Sequence, residues 1–376
     1  MPSNKVSSTL IRLGGYLTLF FLLLLIALGI MIYFSTEKDD KKEIQGFYIS
    51  SDTNDYTNFR YDILTTIVYA KVNINADGSL TPSSNYNPSP LISYAHDRKV
   101  KVVLMFQGRD DISKDTILVN QTIGTIAINN LLNEIKKYDF DGIDIDLESL
   151  NIKNSINGQS NKQLMTDFVA SLSDKFQEVD TNYRISIDIG MDYQDVDKIF
   201  DLHVIQNKVN YVMMMGYDQY GSWSSTAGPN SPISLDNGRG INDSIKHYKG
   251  LIDKNKFLLG VPFYGYEFAT VNDNRLASVN GDVNYISYKD YVNITNKYTR
   301  KWDSVWQTPW YTYQDNITSQ WYQVHYDDIQ SLGIKYNIVN SEGIAGIGIW
   351  AINYGIDRPE LWQLIQDKFR FRLSPR

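Results

Sequence analysis

The sequence predicts an α/β fold: a (β/α)8 barrel of the TIM type, with a small α+β insertion between strands 7 and 8 and one membrane-spanning helix in front. Three observations predict it. The chain has 376 residues, 43% of them hydrophobic, enough to bury a core of barrel size. Eight apolar, strand-like runs alternate with amphipathic stretches. One long apolar run near the N-terminus carries no charge.

That N-terminal run comes first. Leu13 to Thr36 is rich in Leu, Ile and Phe, and about 20 apolar residues span a bilayer as a helix. Lys5 and Arg12 precede it, and Glu37–Glu43 follows with four acids against three bases. The positive-inside rule then makes residues 1–12 a cytoplasmic tail and places the rest outside the cell or in a lumen, as a single-pass membrane protein. A cleaved signal peptide is the alternative. Its apolar core would be shorter and would end in small residues, whereas this one ends Ile30-Met31-Ile32-Tyr33-Phe34. Residues 37–43 read as a charged linker and 44–376 as the barrel body.

Within that body the strands are expected at 44–50, 63–72, 100–107, 140–147, 184–190, 209–217, 257–264 and 344–351. Several are continuous apolar runs, the pattern of parallel strands buried on both faces. Helices are expected at 88–99, 120–138, 159–179, 195–207, 241–253, 328–340 and 359–369. The gap from 265 to 343 is long and rich in Tyr and Trp, including Trp302, Trp306, Trp310 and Trp321. It reads as the insertion, bordering a cleft.

Composition narrows the chemistry. Net charge is -7 with no dense Lys/Arg run, which argues against a nucleic-acid partner. No cysteine is present, so disulfides and thiolate metal sites are excluded. The four histidines lie far apart, without metal-binding spacing. Neither a metal nor a cofactor is expected. Twenty-seven tyrosines leave room for an aromatic-lined sugar cleft.

The fourth strand carries the chemistry. In Asp141-Gly142-Ile143-Asp144-Ile145-Asp146-Leu147-Glu148, period-two alternation points Asp144, Asp146 and Glu148 to one face and Ile143, Ile145 and Leu147 to the other. Helices cover the apolar face, so the acids line the barrel axis, with Glu148 nearest the C-terminal mouth. Crowded, desolvated carboxylates raise at least one pKa, which is what a general acid needs near neutral pH. A carboxylate metal site is the competing reading, but acids in a row project in line and do not surround an ion.

Asp141–Glu148 resembles the DGxDxDxE signature of the family 18 glycoside hydrolases, which include chitinases, chitobiases and spore-cortex peptidoglycan hydrolases. Gln45-Gly46-Phe47-Tyr48 is similar to that family's first strand, and Met215-Gly216-Tyr217-Asp218 to the end of its sixth. Leu259–Gly265 is similar to the seventh and Gly346–Trp350 to the eighth; Tyr326–Lys335 resembles the segment leading into the latter. The resemblance covers about residues 44–370. It implies hydrolysis of β-linkages beside N-acetylglucosamine, in chitin or chito-oligosaccharides, by substrate-assisted retaining catalysis. Glu148 is then the acid/base, Asp146 the partner of the substrate's acetamide, Asp144 the support of Asp146, and Tyr217 the donor to the acetamido oxygen. Tyr48, Met215, Asp218 and Trp350 are expected to bind substrate, Trp350 as the floor under the sugar.

Two departures bear on substrate. The third strand ends Met105-Phe106-Gln107-Gly108, without the Ser-x-Gly-Gly usual there, and Lys71 follows Tyr69-Ala70 where a Phe is usual. They leave peptidoglycan or another N-acetylglucosamine-containing glycan open as the substrate. A chitinase-like, glycan-binding lectin is the non-enzymatic alternative; its relatives usually lack the motif's Glu, which is present here.

Overall fold

The computed structural model describes residues 21, 23–26, 42–50, 56–148, 159–236, 239–295 and 297–369. The predicted membrane span, 13–36, lies almost wholly outside them. Phe21 and Leu23–Ile26 are helical, and among the described residues no helix is long and apolar enough to cross a membrane. The cytoplasmic tail and most of the linker also lie outside the described residues.

From Lys42 onward the chain is one compact unit. Its elements in order are β1 (Glu43–Ile49), β2 (Thr66–Ile74), β3 (Leu80–Pro82), α1 (Ser89–His96), β4 (Lys101–Gly108), α2 (Asp111–Val119), α3 (Gln121–Tyr138), β5 (Gly142–Ile145), α4 (Asn161–Val179) and β6 (Arg184–Ile189). Then come α5 (Tyr193–Ile199), α6 (Leu202–Ile205), β7 (Tyr211–Met215), α7 (Ile241–Tyr248), β8 (Phe257–Pro262), β9 (Tyr264–Thr270), β10 (Val279–Ser287) and α8 (Tyr288–Thr295). β11 (Lys301–Asp303), β12 (Thr308–Gln314), β13 (Trp321–His325), α9 (Ile329–Glu342), β14 (Gly346–Trp350) and α10 (Pro359–Phe369) complete it.

Eight parallel strands pair in the order β1-β14-β8-β7-β6-β5-β4-β2, and β1 pairs with β2 to close the ring. The predicted (β/α)8 barrel is what the chain forms. β3 adds antiparallel to β2 outside the ring. A second, five-stranded antiparallel sheet, β10-β9-β13-β12-β11, stands between β8 and β14, with α8 in its sequence span.

Alternation divides the core in two. Outward residues such as Ile143, Ile145, Ile185, Ile187 and Leu259 pack under the helices in a large outer layer. Inward residues form a much smaller plug: Phe47, Val68, Val103, Met105, Met213 and Leu258. The N-terminal end of the barrel is closed by polar pairing. Arg184 bonds Glu43 at 2.9 Å, Thr66 donates to Glu43 at 2.6 Å, and the Tyr211 hydroxyl donates to it at 3.2 Å. In this geometry the site sits at the opposite, C-terminal end.

Three elements differ from expectation. The helix expected over 195–207 is two, because Phe200 leaves the helix and Asp201 starts α6 by accepting from Val204 N. α2 is additional; Asp110 caps it by accepting from Ser113 N. β5 is short, so Asp146 and Glu148 lie beyond its last paired residue. Gly142 is required at its start: φ is +154°, and a Cβ there would stand 1.9 Å from the Arg184 carbonyl oxygen.

Candidate active site

The acids climb from the barrel interior to its mouth. Asp144 is 0% and Asp146 6% exposed, while Glu148 is exposed to the cleft. Asp144 pairs in register with Ser186 of β6, and the Ser186 hydroxyl donates to its carboxylate. Burial pushes Asp144 up to about 6, against the pull of hydrogen bonds from Ser186 and Asp188. Burial also raises Asp146 well above the usual range, reinforced by the charges of Glu148 and Asp144 and by its hydrogen bond to Glu148. Glu148 meets solvent along its side chain, yet its carboxyl is largely enclosed. Burial raises its pKa, the bond from Asp146 lowers it, and Asp218 raises it again.

A fourth acid stands among them. Asp188 of β6 is buried, and burial together with the charges of Asp144, Asp146 and Glu148 raises its pKa well above normal. Sequence reasoning missed it, although the signal was present. Arg184-Ile185-Ser186-Ile187-Asp188-Ile189 has the same polar–apolar alternation as the acid strand.

The sixth parallel strand, β7, ends in Met215, and Tyr217 and Asp218 follow it. Tyr217 is buried, and its pKa is raised first by burial and then by the charges of Asp188, Asp218, Glu148 and Asp146. Its ring passes close to Gly260, where an added Cβ would stand 3.0 Å from the ring. Asp218 takes left-handed backbone, φ 59°, with its N–H donating to the Asn230 side chain at 2.8 Å. Its carboxylate accepts from the Tyr264 hydroxyl and, at 2.9 Å, from Tyr266. Both tyrosines come from β9, so the antiparallel sheet fixes an acid of the mouth. Met215 and Trp350 are half-buried and border both the inner plug and the Tyr217–Tyr264 cluster.

The structure therefore brings Asp144, Asp146, Glu148, Met215, Tyr217, Asp218 and Trp350 to one mouth. Tyr48 is not there, which corrects the expectation. It faces the outer layer, its ring 5.3 Å from Phe59 and 5.5 Å from Tyr69. It borders a separate cavity of about 630 Å³ with Tyr69, Tyr86 and Leu91, larger than the cavity beside the acids but containing none of them. Its neighbour Phe47 faces inward, 5.4 Å from Trp350.

The cavity beside the acids is about 350 Å³ and is bordered by Asp146, Glu148, Gln107, Arg109 and Lys114. Lys114, delivered by the additional helix α2, donates to the Glu148 backbone carbonyl at 3.0 Å. Lys71 is half-buried: burial lowers its pKa, and the charges of Asp146 and Glu148 raise it.

Carboxyls with raised pKa values at a barrel mouth, one open to the cleft, with Tyr217 and Trp350 packed together at the same end, fit a glycosidase. The chain belongs to the glycosyl hydrolases family 18, whose model matches residues 30–355. The resemblance of its motifs is thus borne out. It is similar to the di-N-acetylchitobiase of Mus musculus, 26% identical over 71% of this chain and 74% of that protein. It is likewise similar to the di-N-acetylchitobiase of Homo sapiens, 25% identical over 74% and 76%. Among solved structures, the Group IV chitinase of Ostrinia furnacalis superposes with a TM-score of 0.78 at 19% identity, over 88% of this chain and all of that one. The spore cortex-lytic enzyme SleL of Bacillus megaterium superposes at 0.72 and 21%, over 89% and 75%. At such identity the structures speak for the fold.

Proposed function

We propose that this glycosidase cleaves β-linkages next to N-acetylglucosamine, in chitin or chito-oligosaccharides, by substrate-assisted catalysis with retention of configuration. The observation that carries this reading is the acid row itself: Asp144 and Asp146 are buried below Glu148, Asp146 and Glu148 border the cavity, and the buried Tyr217 packs at the same end of the barrel. In the free enzyme Asp146 holds the shared proton. When the substrate's acetamide enters, its N–H donates to Asp146, and the proton passes to Glu148. Glu148 gives it to the glycosidic oxygen as the C1–O bond breaks. The acetamide carbonyl oxygen forms the new bond to C1, and the positive charge of the resulting oxazolinium is held by anionic Asp146. Tyr217 donates to the acetamido oxygen and keeps it in line. Water then attacks C1 from the face the leaving group vacated, Glu148 takes its proton, and configuration is retained. Asp144 holds Asp146 from below, Trp350 lies under the sugar, and Met215 and Asp218 line the pocket. The relatives named di-N-acetylchitobiase support the substrate class.

The test is Glu148→Gln in the full chain. Loss of general acid and base is expected to lower kcat on a chromogenic chito-oligosaccharide by roughly 10²–10⁴-fold. Equal turnover by the variant sinks the assignment, and tight binding by the wild type without turnover makes the protein a glycan-binding lectin.

The same reading includes location. The uncharged run 13–36, with Lys5 and Arg12 before it, supports a single-pass anchor that holds the barrel outside the cytoplasm or in a lumen.

A further inference from the structure

The mechanism above uses three acids of the mouth and leaves Asp188 without a part. Its place follows from register. β5 and β6 pair Asp144 with Ser186 and Ile145 with Ile187. One step further along, Asp188 stands level with Asp146. Ile185, Ile187 and Ile189 face the outer layer, so alternation turns Ser186 and Asp188 inward with the acid row. On the other side, β7 sets Met213 of the apolar plug opposite Asp188. Neighbouring strands lie about 4.8 Å apart, so Asp188 stands between carboxylates on one strand and a thioether on the other.

The hydrogen bonds of this layer do not close. Asp144 accepts from the Ser186 hydroxyl through Oδ1. Its Oδ2, Asp146 Oδ1 and Asp188 Oδ1 are buried, and no donor among the described residues reaches them. Buried polar atoms left so are costly, and adjacent buried carboxylates cannot all be charged. A proton resident in the layer answers both demands: it removes one charge and turns one acid into a donor. Asp188 is where that proton fits. Asp144 already has a donor to hold its negative charge. Asp146 borders the cavity and feels the half-buried Lys71. Asp188 takes part in no salt bridge among the described residues, and after burial the charges of Asp144, Asp146 and Glu148 do most to raise its pKa. From the end of β7, Tyr217 completes the neighbourhood: after burial, the charge of Asp188 does most to raise its pKa, ahead of Asp218, Glu148 and Asp146.

We infer that Asp188 is a positioning residue that stays protonated through the catalytic cycle, donates to Asp144, and so leaves Asp144 as the one permanent charge beneath Asp146. This rests on the hydrolase reading above and adds a residue to it. The relay then works against a single negative neighbour. Asp146 can release its proton toward Glu148 when the acetamide arrives, because only Asp144 is charged below it. A second charge at Asp188 would hold the proton on Asp146.

Two variants and one spectrum test it with the full chain. Asp188→Asn puts a neutral group of the same shape there, with N–H donors; Asp188→Leu has comparable size and no donor. On a chromogenic chito-oligosaccharide, Asp188→Leu should lose roughly tenfold to a hundredfold in kcat, the scale of a hydrogen bond to a charged group, and Asp188→Asn about threefold. The alkaline limb of kcat/KM against pH should move by less than about 0.3 unit in Asp188→Asn, since no charge is removed. A fall of that limb by about one unit or more overturns the inference, because it shows that wild type carries a charge at Asp188. Equal losses in the two variants overturn it as well. Infrared difference spectra of wild type against Asp188→Asn at pH 7 decide without turnover and without the Leu variant. Loss of the carbonyl band of a protonated carboxyl is expected; loss of a carboxylate band in its place overturns the inference. If wild type cleaves no such substrate, the hydrolase reading falls, and the infrared spectra still decide where the proton lies.

Discussion

Replacing Asp144 by Asn should make the protein more stable and less active. An ordinary aspartate releases its proton near 3.8, and buried Asp144 near 6. Below about pH 4 both folded and unfolded chains hold the proton, and the folded state bears no penalty. Between about pH 4 and 6 the folded chain keeps a proton that the unfolded chain has released, so stability falls as pH rises. Above about pH 6 Asp144 is ionised in both states and the full penalty applies, about 3 kcal/mol at roughly 1.4 kcal/mol per tenfold change in proton activity. Asp144 is 0% exposed, so solvent screening takes nothing from that figure. Asn keeps the shape and still accepts from Ser186, but carries no charge. With some packing loss, the gain at pH 8 should be about 1–3 kcal/mol, a rise in Tm of roughly 2–6 °C for a chain of this size. At pH 4 the two proteins should melt together. Activity should fall by about tenfold to a hundredfold, because Asp146 loses the negative neighbour that sets its proton affinity. Differential scanning calorimetry at pH 4 and pH 8 decides it. An equal or lower Tm for Asp144→Asn at pH 8 refutes the reasoning. A gain of the same size at pH 4 does so too, since it would come from packing and not from ionisation.

The remaining predictions concern the first strand and the N-terminus. Phe47→Leu should lower kcat/KM by roughly tenfold by loosening the support of Trp350, whereas Tyr48→Phe should leave it within about twofold; equal damage from both on steady-state kinetics would place Tyr48 at the site after all. Alkaline carbonate extraction of membranes from cells making the full chain should leave the protein in the pellet, and deletion of residues 13–36 should release it. Extraction of the intact chain into the supernatant would remove the anchor.

How much of the site is legible in the sequence depends on where polarity alternates. In the acid strand, Asp and Glu alternate with Ile and Leu, and that alternation alone tells inside from outside. The first strand offers no such mark. Ile44 and Tyr48 face out and Phe47 faces in, yet both faces are apolar, as expected of a parallel strand buried on both sides. Only the likeness to a family motif gives that strand a parity, and it puts Tyr48 on the wrong face. The bulge at Lys71, where the β2–β4 pairing slips between Ala70 and Val72, is invisible for a related reason: an extra residue changes the register without changing the composition. Two other features lie within reach of the sequence. Asp188 sits in an alternating strand, and Asp110-x-x-Ser113 is a cap signal for α2.

The burial gradient along the acid row supports the roles proposed above. β5 ends its ladder at Ile145, but the two-residue period continues past that end. The same alternation that places Asp144 deep in the barrel carries Asp146 just below the surface and Glu148 into the cleft. Depth then decides what each carboxyl can do. Asp144 is fully buried and accepts from Ser186, which in the proposed mechanism leaves it to act through its charge. Asp146 is buried, and burial with the charges of Glu148 and Asp144 raises its proton affinity, which fits the relay proposed above. Of the three, Glu148 is the most exposed, which suits it to the acid/base role proposed above. The opposite end of the barrel reverses this pattern: there Glu43 is matched by Arg184, Thr66 and Tyr211, and its charge is neutralised where it lies. Unmatched like charges at one end and matched charges at the other make the mouth the destabilised end of a stable scaffold, as a site built for proton transfer requires.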